Sequence, residues 1–325
     1  MIISTPPRAL VLGATGFVGR HICTAMRADG FETGEVARRR PDMPPEGPFT
    51  TLDLGTAAPE TIGELIDSYR PDVVVNTVGS IWGRSDEQMW SAAAEPVRRL
   101  IAALGGCTHR PWLVHLGSVL EYGPIVEGQQ AGADHSLARP ASAYGEAKLA
   151  ATEAVLDAVA AGTVDAVVLR IANVTGPGTP AVSLLGIVAQ RLLAAADSDT
   201  PPEITLDALV AHRDYVDVRD VAAAVVAAAR VRRPGAVFDI GRGAAISVRE
   251  LVTMLIAVSG SGARLVERAR TPDPAASNWT KVDIEPARLE LGWRPEVSLR
   301  ESVEAFWDEI RTTRATALPG HAHTG

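Results

Sequence analysis

Two rhythms alternate along this chain. Short runs rich in apolar and small residues lie at positions 9–12, 33–37, 73–77, 112–116, 164–171 and 237–240, the length and composition of strands buried on both faces. Between them apolar positions recur at helical spacing, from Gly19 through Met26 and over 61–68, 89–104, 143–161, 184–196 and 218–230. A helix after most strands carries the chain back to the same end, which predicts a doubly wound α/β fold with a parallel sheet covered on both faces. Past Arg170 the alternation loosens into Gly176-Pro177-Gly178, Thr200-Pro201-Pro202 and Thr271-Pro272-Asp273-Pro274. A smaller substrate-binding lobe is expected there.

Composition adds exclusions. With 325 residues and 46% hydrophobic content the chain can fill a large core and is not disordered as a whole. Its 31 basic and 39 acidic residues leave a net charge of −8, and the basic ones are scattered apart from Arg38-Arg39-Arg40, so no nucleic-acid partner is expected. The first apolar run is too short for a signal or membrane segment, and Cys23 and Cys107 show no pairing or metal pattern. A cytoplasmic protein without membrane partner or metal is the expectation. His109, His115, His135 and His212 lack ligand spacing and read as core or surface histidines, and His321 and His323 sit in a frayed tail.

The first strand runs directly into Gly13-Ala14-Thr15-Gly16-Phe17-Val18-Gly19 and a helix. In such a turn one glycine reverses the chain, one lets a phosphate approach bare backbone and one lets helix and strand pack closely, while the helix N-terminus faces a pyrophosphate. This is a dinucleotide site, with Gly13, Thr15, Gly16, Phe17, Val18 and Gly19 as its cofactor contacts. After the second strand, where a carboxylate would hold the ribose hydroxyls of NAD, stand Arg38 and Arg39, which favour a 2′-phosphate and hence NADP(H) over NAD(H). Arginines solvating a loop is the other reading. Asp53 and Leu54 at the end of a third strand, Thr77, Val78 and Gly79 after the fourth, and Ile171 further on complete the cofactor-side candidates.

Tyr144 and Lys148 lie four apart on a predicted helix, so both project from one face. A nearby ammonium and an oxidised nicotinamide would lower the phenol from its usual value of about 10, making Tyr144 a proton donor and acceptor. Ser118 follows a strand at the carboxyl end where open α/β sheets hold ligands, and can bind the reacting oxygen.

Together these segments resemble the extended short-chain dehydrogenase/reductases of the NAD-dependent epimerase/dehydratase family, over nearly the whole chain. The glycine turn resembles the family's cofactor turn, Ser118-Val119-Leu120-Glu121-Tyr122-Gly123 its serine segment, and Tyr144-Gly145-Glu146-Ala147-Lys148 its Tyr-Lys pair. The segment from Leu169 to Pro177 is similar to one whose Asn, here Asn173, lies near a sugar-nucleotide diphosphate. Another, opening at Arg213, is similar to a motif whose Arg reaches that group, and Leu291-Gly292-Trp293-Arg294-Pro295-Glu296-Val297-Ser298-Leu299 is similar to the C-terminal signature. The resemblance implies a Rossmann-type domain over 1–172 with 213–241 returning to it, a substrate lobe from 173–212 and 242–314, a tail over 315–325, and a homodimer through two helices.

Departures narrow the reaction. Val119 and Leu120 stand where the family's dehydratases carry carboxyl groups, and Leu120 where its carbon-acid epimerases carry a Cys, so neither reaction is expected. Ala92-Ala93-Ala94 replaces a family Asn, leaving the usual proton relay open. Hydride transfer at a carbon bearing oxygen remains, with Ser118, Tyr144 and Lys148 as catalytic set, and Ser80, Trp82, Ser118, Val119, Leu120, Tyr144, Asn173 and Arg213 facing the substrate. The resulting expectation is an NADPH-dependent 4-ketoreductase of a nucleotide-diphosphate 4-keto-6-deoxyhexose. Alternatives are a C4-epimerase with retained NAD, a reductase of aromatic or steroid-like ketones, and a non-catalytic NADPH sensor on the same fold.

Overall fold

A computed structural model describes residues 5–79, 85–124, 138–195, 201–268 and 281–317. The first half alternates as predicted: β1 (Arg8–Leu12), α1 (Phe17–Ala28), β2 (Glu32–Ala37), β3 (Phe49–Thr51), α2 (Pro59–Tyr69), β4 (Val73–Asn76), α3 (Asp86–Gly106), β5 (Trp112–Ser118), α4 (Ala143–Ala160) and β6 (Asp165–Ile171). A short β7 (Asn173–Thr175) precedes α5 (Leu184–Ala194), β8 (Glu203–Asp207), β9 (His212–Asp217), α6 (Val218–Val231) and β10 (Val237–Ile240). The chain continues through β11 (Ala245–Ser247), α7 (Val248–Ser259), β12 (Arg264–Arg268), α8 (Glu285–Glu290) and α9 (Leu299–Ala317).

Seven strands form one sheet in the order β10-β6-β5-β4-β1-β2-β3, parallel throughout. This is a Rossmann-type fold. Strand order reverses beside β1, so the connections after β1 and β4 cross to opposite faces and open a crevice at the carboxyl ends of the strands. The pleat sends neighbouring residues to different cores: Val11, Val75 and Val114 pack with Ile22 and Val225, whereas Leu10, Val74 and Leu113 pack with Ile62, Leu100 and Val155. Both faces are therefore dry, which is why these strands read as continuous apolar runs rather than alternating ones.

Beyond β6 a three-stranded sheet, β11-β9-β7, and the parallel pair β12-β8 accompany a separate apolar cluster in which Leu185, Val188, Leu251, Leu255, Phe306 and Trp307 meet. The expected tail is shorter at its start, because residues 315–317 continue α9. The third strand also ends earlier than expected. It stops at Thr51, and Asp53 lies in the following turn, its carbonyl accepting from the Ala57 N–H at 2.8 Å.

Asp220, in the first turn of α6, ties the C-terminal segment to the main sheet. Its carboxylate accepts from the N–H groups of Glu296 (3.1 Å) and Val297 (3.0 Å), and its backbone carbonyl accepts from the Trp293 indole at 2.9 Å. Removing the carboxylate takes away the charged acceptor that both N–H groups share. Asp220→Ala is expected to cost about 2–3 kcal/mol in urea denaturation at unchanged m-value; a loss below about 0.5 kcal/mol would contradict this anchoring role.

Candidate active site

The glycine turn sits between β1 and α1, held by two N–H groups, those of Gly13 and Ala14, that donate to the Val36 carbonyl at 2.8 and 3.1 Å. Gly13 has φ +86°, and a Cβ there would lie 2.5 Å from the Thr77 hydroxyl oxygen. A Cβ on Gly19 would collide with the Gly13 carbonyl, so only glycine lets α1 approach the turn this closely. Helix α1 begins at Gly16 without a side-chain cap, which leaves the N–H groups of its first turn for a ligand. Bare backbone at a helix N-terminus fits the pyrophosphate of a dinucleotide.

From this turn a cleft of about 950 Å³ runs along the carboxyl edge of the sheet. One end is walled by Arg38, Arg39, Asp53 and Leu54, and the middle by Thr77, Val78 and Gly79. Ser118, Leu120 and Tyr144 follow, and then Asn173, Pro180, Leu184 and Tyr215. Arg38 and Arg39 are exposed on this wall, whereas Arg40 stacks over Phe49 with its guanidinium carbon 5.7 Å from the ring centre. The Asp53 carboxylate accepts from the Gly55 N–H at 3.0 Å, which holds the loop below the arginines.

Ser118 ends β5 and caps a short 3₁₀ turn, Val119–Tyr122. Its hydroxyl oxygen accepts from the Leu120 N–H at 3.2 Å, leaving its own proton for the cleft. Helix α4 starts next to this turn, capped by the Ser142 hydroxyl, and Gly145 touches it: a Cβ at 145 would stand 2.5 Å from the Leu120 carbonyl oxygen. That contact brings Tyr144 to the same stretch of wall as Ser118. Lys148, one turn further, is buried behind the wall, donates to the Leu116 carbonyl and reaches to just behind Gly79.

Glu121, fully buried, governs this end electrostatically. It accepts from the Ser118 N–H (2.7 Å), the Thr152 hydroxyl (3.1 Å) and the Arg170 guanidinium (2.7 Å), while Arg170 lies over the Tyr122 ring and the Tyr122 hydroxyl donates to Asp239 at 2.9 Å. Burial pushes the Tyr144 phenol up to about 12, with the Glu121 charge adding to it. Burial lowers the Lys148 ammonium to about 8 against the opposing pull of Glu121. The protein's own groups thus raise the phenol; the expected lowering invoked an oxidised nicotinamide together with the ammonium. At neutral pH Tyr144 is a protonated donor.

Other expected contacts fall elsewhere. Val119 and Ile171 point into the core beneath α6, and Ala172 takes the place on the wall that Ile171 was expected to fill, because strand alternation turns Ile171 inward. Arg213 is off the wall, donating to the His212 carbonyl at 3.1 Å, and Tyr215, two residues on, faces the cleft. Ser80 and Trp82 lie outside the described residues. Ala92 of α3, from the stretch that replaces a family Asn, lines the cleft, and so do Ser91 and Pro96 of α3, Thr179, the α5 cap Ser183 and Leu185 of α5, which were not singled out because nothing in their spacing separates them from packing residues. The loop carrying Thr179 is clamped from below: the His21 ring donates to the Pro177 carbonyl (2.8 Å), and Glu309 accepts from the Gly178 N–H and from Arg20 (3.0 Å).

Among the described residues no group of three or more His, Cys, Asp or Glu could hold a metal ion, and no helix is long and apolar enough to cross a membrane.

The family model for the NAD dependent epimerase/dehydratase family matches residues 9–241. The dTDP-6-deoxy-L-talose 4-dehydrogenase (NAD(P)(+)) of Kitasatospora kifunensis is 40% identical over 318 residues, spanning 97% of this chain and 98% of that protein. The UDP-glucose 4-epimerase of Azospirillum brasilense is 29% identical over 322 residues, 89% of this chain and 88% of its own. Among solved structures, MoeE5 in complex with UDP-glucuronic acid and NAD is similar with a TM-score of 0.79 and 26% identity, over 94% of this chain and 99% of that one.

Removing half of a buried ion pair strands the other charge, whereas replacing both removes the penalty. Glu121→Gln is therefore expected to cost about 3–5 kcal/mol in denaturant unfolding, and Glu121→Leu combined with Arg170→Met to recover most of it. Equal losses in the single and double variants would show that the pair is not the organising element.

Proposed function

The chain belongs to the NAD dependent epimerase/dehydratase family, and from that premise we propose that it reduces the 4-keto group of a nucleotide-linked 4-keto-6-deoxyhexose with NADPH. The observation that carries this reading is the make-up of the reacting wall. Tyr144 and Ser118 stand there as oxygen-directed groups, and the described residues beside them, Leu120, Ala92 and Pro96, offer no second acid or base. Removing a proton from carbon, which elimination and C3 or C5 epimerisation need, has no agent beside Tyr144 and Ser118 among the described residues; exchanging hydride and proton across a carbon–oxygen bond needs none.

The choice of carbon and sugar draws on the relative that is 40% identical along nearly its whole length and is named for oxidation at position 4 of a dTDP-6-deoxyhexose. One site catalyses both directions of such a reaction, so a 4-dehydrogenase and a 4-ketoreductase share their machinery. The choice of NADPH draws on Arg38 and Arg39, whose guanidinium groups suit a 2′-phosphate at the cofactor end of the cleft.

When bound, the dihydronicotinamide supplies the hydride. The chain's own residues do the rest. Ser118 donates its free proton to the substrate oxygen and orients the carbonyl. Tyr144, held protonated by burial and Glu121, hands its proton to that oxygen as the alcohol forms. Lys148 holds the nicotinamide ribose from behind Gly79 and stabilises the tyrosinate left behind. Asn173 and Tyr215, paired in register on β7 and β9, face the nucleotide-sugar end.

Mixing the purified protein with NADPH and an enzymatically prepared dTDP-4-keto-6-deoxyhexose is expected to consume the two in equal amounts. Tyr144→Phe is expected to lower kcat by roughly 10²–10⁴-fold. Replacing Arg38 and Arg39 together by Ala is expected to weaken NADPH binding by at least about tenfold while leaving NADH binding within about twofold. Tightly retained NAD with interconversion of sugar epimers and no net cofactor consumption would replace this reading by a C4-epimerase.

A further inference from the structure

His115 carries no ligand spacing in the sequence, yet the structure gives it an unusual position. It is fully buried in β5, in register with Asn76 of β4. Along β5, Val114 and Leu116 point into the core beneath α6, and Leu113 into the core beneath α3 and α4. His115 shares the face of Leu113, the one from which Lys148 of α4 reaches the sheet. Lys148 donates to the carbonyl of Leu116, the residue next to His115 in the chain, and its charge acts on the imidazole.

Hydrogen bonds fix where the imidazole carries its proton. The Val78 N–H donates to Asn76 Oδ1 at 3.1 Å, which turns the amide nitrogen of Asn76 towards the ring, 3.1 Å from His115 Nδ1. Nδ1 therefore accepts. Burial and the neighbouring ammonium keep the ring well below its usual pKa and so neutral, and a neutral ring that accepts at Nδ1 has its proton on Nε2. Nε2 is buried without a partner among the described residues. An unanswered buried N–H is costly, and Lys148, with one N–H used on Leu116, brings further donors to the same neighbourhood. Donors in one buried neighbourhood can be answered by a single acceptor, and a water molecule is small enough to serve.

We propose that His115 is a positioning residue for Lys148: its Nε2–H and the Lys148 ammonium hold one buried water between them, which keeps the ammonium charged and directed at the cofactor. This rests on the reading that Lys148 holds the nicotinamide ribose. The charged and titratable groups around Lys148 are Glu121 from the turn after β5, Tyr144 from its own helix and His115 from β5. The buried residues of α3, from Ala93 to Leu104, include none that titrates, and the end of β4 brings only Asn76.

The test is the dissociation constant of NADPH, read by fluorescence across pH, in the wild type, His115→Phe and His115→Gln. Lys148 loses its charge as pH rises through about 8, so wild-type affinity falls above that point. In His115→Phe, which removes the donor and the water, the fall is expected to move down by about one pH unit. In His115→Gln, whose amide N–H stands near the place of Nε2–H, it is expected to return to the wild-type position. A folded His115→Phe protein with an unmoved fall overturns the proposal. Should that variant fail to fold, the ¹⁵N chemical shifts of the wild-type ring decide: a proton on Nε2 supports the proposal and a proton on Nδ1 overturns it. A wild type with no fall removes Lys148 from the cofactor site and overturns the proposal with it. Failure of every keto sugar as substrate, with the fall and its dependence on His115 intact, would count against the proposed reaction and support the role of His115.

Discussion

A carboxylate sealed away from water must have its charge answered by the groups around it, and the reacting end of this cleft is arranged around answering that of Glu121. Its partners come from three directions: the Ser118 backbone at the end of β5, Thr152 in α4 and Arg170 in β6. Satisfying one anion therefore fixes the serine turn against both the helix that carries Tyr144 and Lys148 and the neighbouring strand. Arg170 continues the network through Tyr122 to Asp239 on β10, whose carboxyl is pushed up to about 7 by burial. The charge also acts at a distance, favouring the protonated forms of Tyr144 and Lys148. Structure and proton chemistry here share a cause.

The cofactor end obeys a different constraint, close approach of backbone to backbone. Gly13 and Gly19 let α1 sit against the turn, and the uncapped start of that helix supplies donors that no side chain provides. The two ends meet at Gly79, with the cleft on one side and the Lys148 ammonium behind it. On the far wall the loop bearing Thr179 is clamped by His21 and Arg20 of α1 acting with Glu309 of α9, so the helix that opens the cofactor site also steadies the substrate side.

Much of this was legible in the sequence because it follows from periodicity or from a short contiguous motif. The parallel strands announce themselves as apolar runs, and the glycine turn, Ser118 and the Tyr144-Lys148 pair each depend on residues within a few positions of one another. What was not legible depends on pairing across the chain. Glu121 in a turn reads as a surface carboxylate until Arg170, forty-nine positions later, is seen against it. β9 and β12 carry too many charged residues to read as strands, and Tyr215 and Leu265 pack into the cluster built by α5, α7 and α9. Arg213 sat in a motif pointing to the substrate, but of the residues on that face of β9 it is Tyr215, two positions on, that lines the cleft.

In the proposed reaction hydride passes from the cofactor to a sugar carbonyl and stays there. NADPH carrying deuterium at its transferable position, mixed with a dTDP-4-keto-6-deoxyhexose, tests it in one product analysis by NMR. One deuterium at C4 of the product sugar is expected for each NADPH consumed. Product without deuterium at C4, or sugar interconversion with the labelled cofactor unspent, would contradict it.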